Sequence, residues 1–145
     1  MSTSLEVPHV EPCPFCDYLS GARPFTILAR NSLTATLVTR EQRGVGHLLV
    51  IPVQHRQTLI ELSEAESPAI IASVIAATKA ITEAYRAEGV AVWQNNGIPA
   101  HQTIPHVHFH IAGTLPSGGT EWAAVDEASI AETEAIAAKL RPFIS

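Results

Sequence analysis

Basic residues are scarce in this chain: nine Lys and Arg stand against fourteen Asp and Glu, giving a formal net charge of −5 and a pI near 5.7. A protein that lives on a nucleic-acid polymer or an anionic membrane needs a basic footprint, so neither is an expected partner. Small anions remain open, because a backbone nest or a helix end binds phosphate inside an acidic protein. Apolar runs long enough to span a bilayer are also missing. The first dozen residues hold no basic segment followed by an apolar one, so residues 1–12 read as a short mobile tail and not as a signal peptide. Cysteine is nearly absent, with only Cys13 and Cys16. No disulfide framework is available, and none is needed: 46% hydrophobic content in 145 residues can bury one core. The expected setting is cytoplasmic. In that reducing compartment two cysteines at this spacing suggest a metal or redox pair more than a structural bridge.

Repeats and inter-domain linkers are lacking as well, so residues 13–145 form a single domain, with Ser117-Gly118-Gly119-Thr120 as a loop. A short turn or helix is expected around Cys13 to Leu19. Phe25 to Ala29 and Thr34 to Thr39 read as a hairpin across Asn31-Ser32, and Gly46 to Val53 as a further strand. A long helix follows, opened by a Ser63/Glu66 capping box or by Ser67 before Pro68. It presents Ile70, Val74, Ile81 and Tyr85 on one face and ends at Gly89. Val90 to Gln94 is a strand running into the turn Asn95-Asn96-Gly97, and a last helix runs from Asp126 or Ser129 to Leu140. Hairpins with one central and one C-terminal helix make an α+β domain on a mainly antiparallel sheet. A sheet with so few strands exposes an edge, and homodimerisation through it is expected.

What the chain does have is Pro105-His-Val-His-Phe-His-Ile111. Imidazoles recurring every second residue fit a strand and not a helix, so His106, His108 and His110 line one face while Val107, Phe109 and Ile111 face a core. Three groups that titrate near neutrality are poor core material and good reaction chemistry.

Together with Gln102-Thr103-Ile104, the Asn95-Asn96-Gly97 turn, and Gly46-His47-Leu-Leu-Val-Ile-Pro52-Val-Gln-His55, these histidines resemble the histidine-triad (HIT) family over nearly the whole chain. The resemblance implies a HIT-like fold with a five-stranded sheet that is extended across a homodimer. It also implies a nucleotide hydrolase or nucleotidyl transferase acting at the α-phosphate of a purine nucleotide or nucleotide conjugate. Such chemistry needs an in-line nucleophile, donors for the non-bridging oxygens and an acid for the leaving atom, and it requires no catalytic metal. By position in the family motif His108 is the nucleophile, forming a covalent nucleotidyl-histidine, and His110 bonds the phosphate oxygens. Thr103 supplies a hydroxyl near the phosphate or leaving group, Gln102 and Asn95 are candidate phosphate donors, and His47 orients the triad from behind.

The Cys13-Pro14-Phe15-Cys16 pair lacks the βαβ setting of a thioredoxin-like redox motif. A zinc-containing subgroup of the resembling family implies instead a structural Zn²⁺ held by Cys13, Cys16, His55 and His106. His9 belongs to the tail, and His101 stands where many relatives carry glycine.

Three positions depart from the family pattern. Thr39 stands where many members carry an aspartate for the ribose hydroxyls, and a hydroxyl there makes a weaker bond than a carboxylate. Val53 replaces a usual lysine, and Ala112-Gly113-Thr114 replaces the Pro-Arg that follows the triad in one subgroup. These changes weaken the case for a dinucleoside polyphosphate hydrolase and favour phosphoramidate-type mononucleotide conjugates. Two other readings carry different signatures. A metal-dependent hydrolase would use the three triad histidines as ligands, and a non-catalytic nucleotide sensor or scaffold would bind without turnover.

Overall fold

The computed structural model describes residues 4–144; residues 1–3 of the expected tail and Ser145 lie outside the described residues. Helix α1 (Pro14–Ser20) precedes strands β1 (Ile27–Arg30), β2 (Thr34–Val38) and β3 (Val45–Pro52). Helix α2 (Glu66–Tyr85), strands β4 (Val90–Gln94) and β5 (Phe109–Gly113), and helix α3 (Ile130–Leu140) complete the domain. The five strands form one antiparallel sheet in the order β1-β2-β3-β5-β4. Among the described residues no helix is long and apolar enough to cross a membrane.

The period of two along the strands sorts side chains onto two faces. Val38, Leu48, Val50 and Ile111 pack with Ile70, Ala77 and Ile81 of α2 and with Ala137 and Leu140 of α3. On the opposite face Ala35, Leu37, Leu49 and Ile51 pack under Phe15 of α1. His110 pairs across the ladder with Leu49, so the histidines share the face that α2 leaves open. The apolar stripe of α3 is hard to read in sequence because two of its buried positions are the small residues Thr133 and Ala137.

Several boundaries differ from the sequence expectation. The histidine strand starts only at Phe109, leaving His106 in a bend and His108 in the irregular residues before the strand. The register explains this. Val50 faces Phe109, so the ladder would next need an N–H from Pro52, which has none. The Val107 N–H goes instead to the Arg56 carbonyl at 2.8 Å. Helix α2 ends not at Gly89 but at Arg86, which takes the left-handed cap with φ 51°. The reciprocal bonds of the capping box are present, with Ser63 N–H donating to the Glu66 carboxylate at 2.8 Å and Glu66 N–H to Ser63 Oγ at 3.1 Å, but the helix itself starts at Glu66 after Ala65, two residues later than Ser63 as cap would place it. Ser129 and Glu132 make the same reciprocal pair at the start of α3.

One irregularity positions the site. Between Val45 and Leu48 the β3–β5 register shifts by a residue, a bulge with Gly46 at φ 61°. A β-carbon on Gly46 would lie 2.7 Å from the Tyr85 ring, so glycine is needed there for both backbone and space. The bulge sets the buried His47 beside His110.

Candidate active site and metal corner

The six histidines outside the tail divide into two clusters and one outlier. His47, His108 and His110 form the first cluster, His55 and His106 belong to the second, and His101 stands apart, exposed, with a left-handed φ of 66°.

In the first cluster the hydrogen bonds fix every proton. The Arg43 backbone N–H donates to His47 Nδ1 at 3.0 Å, so that nitrogen carries no proton and His47 holds its hydrogen on Nε2. That Nε2–H donates to His110 Nδ1 at 3.0 Å, which leaves the His110 proton on its own Nε2. His108 is oriented the other way. Its Nδ1–H donates to the His106 carbonyl at 2.8 Å, so its Nε2 is a bare lone pair. Neither outer Nε2 has a protein partner, and among the described residues no buried side-chain nitrogen is left unpaired, so both open on the cleft. The cleft is thus offered one unprotonated imidazole nitrogen beside one N–H donor.

Burial keeps these rings neutral. It lowers the pKa of His47 from 6.5 to about 4, with the Arg43 charge adding to the effect. It lowers His110 to about 2, helped by the neighbouring His108, His47 and Arg43, and it lowers His108 as well. The relay is clamped at its base by Gln42, whose amide accepts from the His47 N–H and donates to the His47 carbonyl, both at 2.9 Å. Trp93, facing His110 across the β4–β5 ladder, stacks on its ring at 4.7 Å and 4°.

The cleft over these rings has a volume of about 180 Å³. Thr103 stands exposed beside His108 and His110. Phe15, Tyr18 and Phe25 give the same cleft an aromatic wall, with Phe15 edge-on to the His108 ring at 5.1 Å and Tyr18 and Phe25 stacked at 4.0 Å. Thr39, which is buried, lines the cleft with Glu41 and Glu127, its Oγ1 accepting the Glu41 N–H at 3.2 Å. Two expected phosphate donors are otherwise occupied. Gln102 is buried, accepting the Gly97 N–H and donating to the Gln57 and Ile104 carbonyls, so its amide ties loops together. Asn95 donates to the Ala100 carbonyl and does not line the cleft.

Cys13, Cys16, His55 and His106 form the second cluster, their ligand atoms all within 4.8 Å of one another. His106 Nε2–H donates to the Pro52 carbonyl at 2.9 Å, which turns an unprotonated Nδ1 toward the sulfurs. That nitrogen lies 3.5 Å from Cys13 Sγ, 3.7 Å from Cys16 Sγ and 3.3 Å from His55 Nδ1, and Cys16 Sγ is 3.4 Å from His55 Nδ1. Around a tetrahedral zinc, standard bond lengths put two nitrogens about 3.4 Å apart and a sulfur and nitrogen about 3.6 Å apart. The four residues therefore fit a zinc ion. Without a cation, burial and Cys13 push the Cys16 thiol up to about 11, whereas a bound divalent ion favours the thiolate. The three triad histidines form no such convergent group, because His106 belongs to this corner and the inner nitrogens of His108 and His110 are engaged. His9 lines the cavity beside this corner.

Sequence reasoning missed the aromatic wall, Trp93, Arg40, Gln42, Arg43 and Glu127. Trp93 had a signal, since the alternation of Val90 to Gln94 places it on one face of a strand. Arg43 had none, because its backbone N–H carries the role.

A family model for the HIT domain matches residues 21–116. The adenosine 5'-monophosphoramidase hnt1 of Schizosaccharomyces pombe is 37% identical over 99 residues, covering 68% of this chain and 71% of that protein. A Hit-like protein from Bartonella henselae superposes with a TM-score of 0.84 at 22% identity, covering 94% of this chain and all of that one. A Zn-bound histidine triad family protein from Mycobacterium smegmatis superposes at 0.77 and 23% identity, covering 90% and 91%.

Proposed function

Because the chain belongs to the HIT domain family, we propose that it is a nucleotide hydrolase or nucleotidyl transferase that works through a covalent intermediate on His108. The preferred substrates are a purine nucleoside phosphoramidate or a related conjugate. One observation carries the reading: the bare Nε2 of His108 lies beside the Nε2–H of His110 in the same cleft. The lone pair attacks the α-phosphorus as the bond to the leaving group breaks, and the departing atom takes that bond's electron pair and a proton from solvent. The His110 N–H, held outward by the relay from Arg43 and His47, donates to a non-bridging oxygen. The Thr103 hydroxyl serves the phosphate or the departing atom. As the N–P bond forms, His108 becomes cationic, and the His106 carbonyl on its Nδ1–H stabilises that charge. Water or another hydroxyl acceptor then attacks phosphorus from the opposite side, the N–P electron pair returns to His108 Nε2, and the acceptor's proton passes to solvent. In this reading Thr39, which lines the cleft, meets the ribose, while Gln102 and Asn95 act through the loop that holds Thr103.

In this reading Cys13, Cys16, His55 and His106 hold a structural zinc, which cross-links α1 to the segment carrying the nucleophile. The chain works as a homodimer joined at the β4 edge, where Val92 is exposed.

The test is rapid-quench intact-protein mass spectrometry with adenosine 5'-phosphoramidate on the wild type and His108→Ala. A transient nucleotidyl adduct on the wild type alone is expected. Product formed by both proteins without an adduct would overturn covalent catalysis at His108.

A further inference from the structure

The segment from Thr120 to Ala128, between the glycine loop and α3, is fastened across the loop that joins β2 to β3. The Glu121 N–H donates to the Arg43 carbonyl and the Ala128 N–H to the Arg40 carbonyl, each at 2.7 Å. Arg40 Nε returns a bond to the Ala128 carbonyl at 2.7 Å, and Arg43 Nη1 donates to the Glu121 and Ala123 carbonyls. This strap carries Glu127 into the wall of the reactive cleft, next to Arg40, whose Nη1 lies 3.4 Å from its carboxylate.

Neither partner is buried: side-chain exposure is 38% for Arg40 and 63% for Glu127. An ion pair this open adds little to stability, so fold stability is a poor reason for placing it on a substrate cleft. Its surroundings suggest a better one. Tyr18 and Phe25, stacked within 8° of parallel, line the same cavity and give it an apolar aromatic wall. A planar ligand against that wall would turn its edge toward one fixed cationic donor and one anionic acceptor, side by side.

A purine has that complementary pattern, with an acceptor next to a donor: O6 beside N1–H in guanine, N1 beside the N6 amine in adenine. We propose that Arg40 and Glu127 form a specificity-determining pair that reads the hydrogen-bonding edge of the purine base. The inference rests on the nucleotide reading above. Glu127 accepts from the ring or exocyclic N–H, and Arg40 donates to the neighbouring ring nitrogen or oxygen. Guanine and adenine order these groups differently along the edge, so the pair sets the preference between them. A site that bonds such groups discriminates far more strongly than one that only encloses a ring.

Calorimetric titration with GMP, AMP and ribose 5-phosphate tests this on the wild type, Glu127→Gln and Glu127→Ala, all with zinc present. The expected result is a change of fivefold or more in the ratio of GMP to AMP dissociation constants in both variants, with ribose 5-phosphate binding unchanged within twofold. An unchanged ratio, or an equal loss for ribose 5-phosphate, would overturn the pair as a base reader while leaving the nucleotide site standing. A wild type that binds none of the three would overturn both.

Discussion

His106 and His108 are two residues apart, yet they belong to regions with opposite electrostatic logic. In the metal corner, His106 uses its N–H outward on the Pro52 carbonyl, and its lone pair converges with that of His55 and with two sulfurs on one point. In the cleft, protons and lone pairs alternate along Arg43, His47 and His110, and the two outer nitrogens present one donor and one acceptor. Convergent lone pairs favour a cation. An alternating pair favours a polar group with an electrophilic centre and an anionic oxygen, as a phosphate ester or amide has. Residue type is the same in both; the second hydrogen bond of each ring decides its use.

Removing the proposed nucleophile should separate the regions most sharply. His108→Ala is expected to lower turnover by at least about 10³-fold while zinc stoichiometry and melting temperature stay near the wild-type values. Loss of metal in this variant, measured by elemental analysis, would mean that the two clusters are one.

The converse change comes next in size. Cys13→Ser with Cys16→Ser is expected to abolish zinc binding and lower the melting temperature by roughly 10 °C or more, with a smaller effect on turnover per folded molecule. Unchanged zinc content in the double variant would rule out the corner as the metal site.

Acid probes the cleft relay. The folded-state pKa of His47, about 4, lies below its ordinary 6.5, and that of His110 lies lower still. Between those limits the unfolded chain binds more protons than the folded one, so stability rises with pH there. The contribution of the relay is complete above pH 6.5 and is lost as pH falls toward 4, at about 1.4 kcal/mol per pH unit for each histidine held neutral. Denaturant titrations at pH 7, 6, 5 and 4 should show the decline, and His47→Asn should reduce its slope. An identical slope in that variant would place the acid sensitivity elsewhere.

Much of this arrangement was legible in the sequence, and the reasons are local. Alternation put the triad histidines on one side of their segment, and the Ser63/Glu66 pair and Ser129 could be read as helix starts because a cap bonds only three residues ahead. What could not be read depends on partners far along the chain or on backbone atoms. Nothing in Arg43 as a residue type announces that its N–H fixes a tautomer, and nothing near Glu127 announces that it reaches Arg40, 87 positions earlier. The bonds that occupy Gln102 come likewise from Gly97 and Gln57, so a residue suited by type to hold phosphate holds loops instead.

The smallest expected effect concerns Thr39, which lines the cleft where a carboxylate was expected. Its hydroxyl oxygen already accepts the Glu41 N–H, so a single bond to a ribose hydroxyl is the most it can add. An aspartate at this position could keep that backbone bond with one oxygen and turn the other toward the ribose, a charge-assisted contact of the stronger kind. The side chains of Glu41 and Glu127 line the same cavity and oppose a third negative charge, which limits the gain. Thr39→Asp is therefore expected to tighten AMP by about three- to tenfold, near 1 kcal/mol, measured by calorimetry at fixed ionic strength. Weaker binding that recovers in high salt would mean that repulsion from the two glutamates outweighs the new bond. Binding that does not change at all would mean that the ribose lies away from Thr39, and that the cleft positions its ligand through its histidines and aromatic side chains alone.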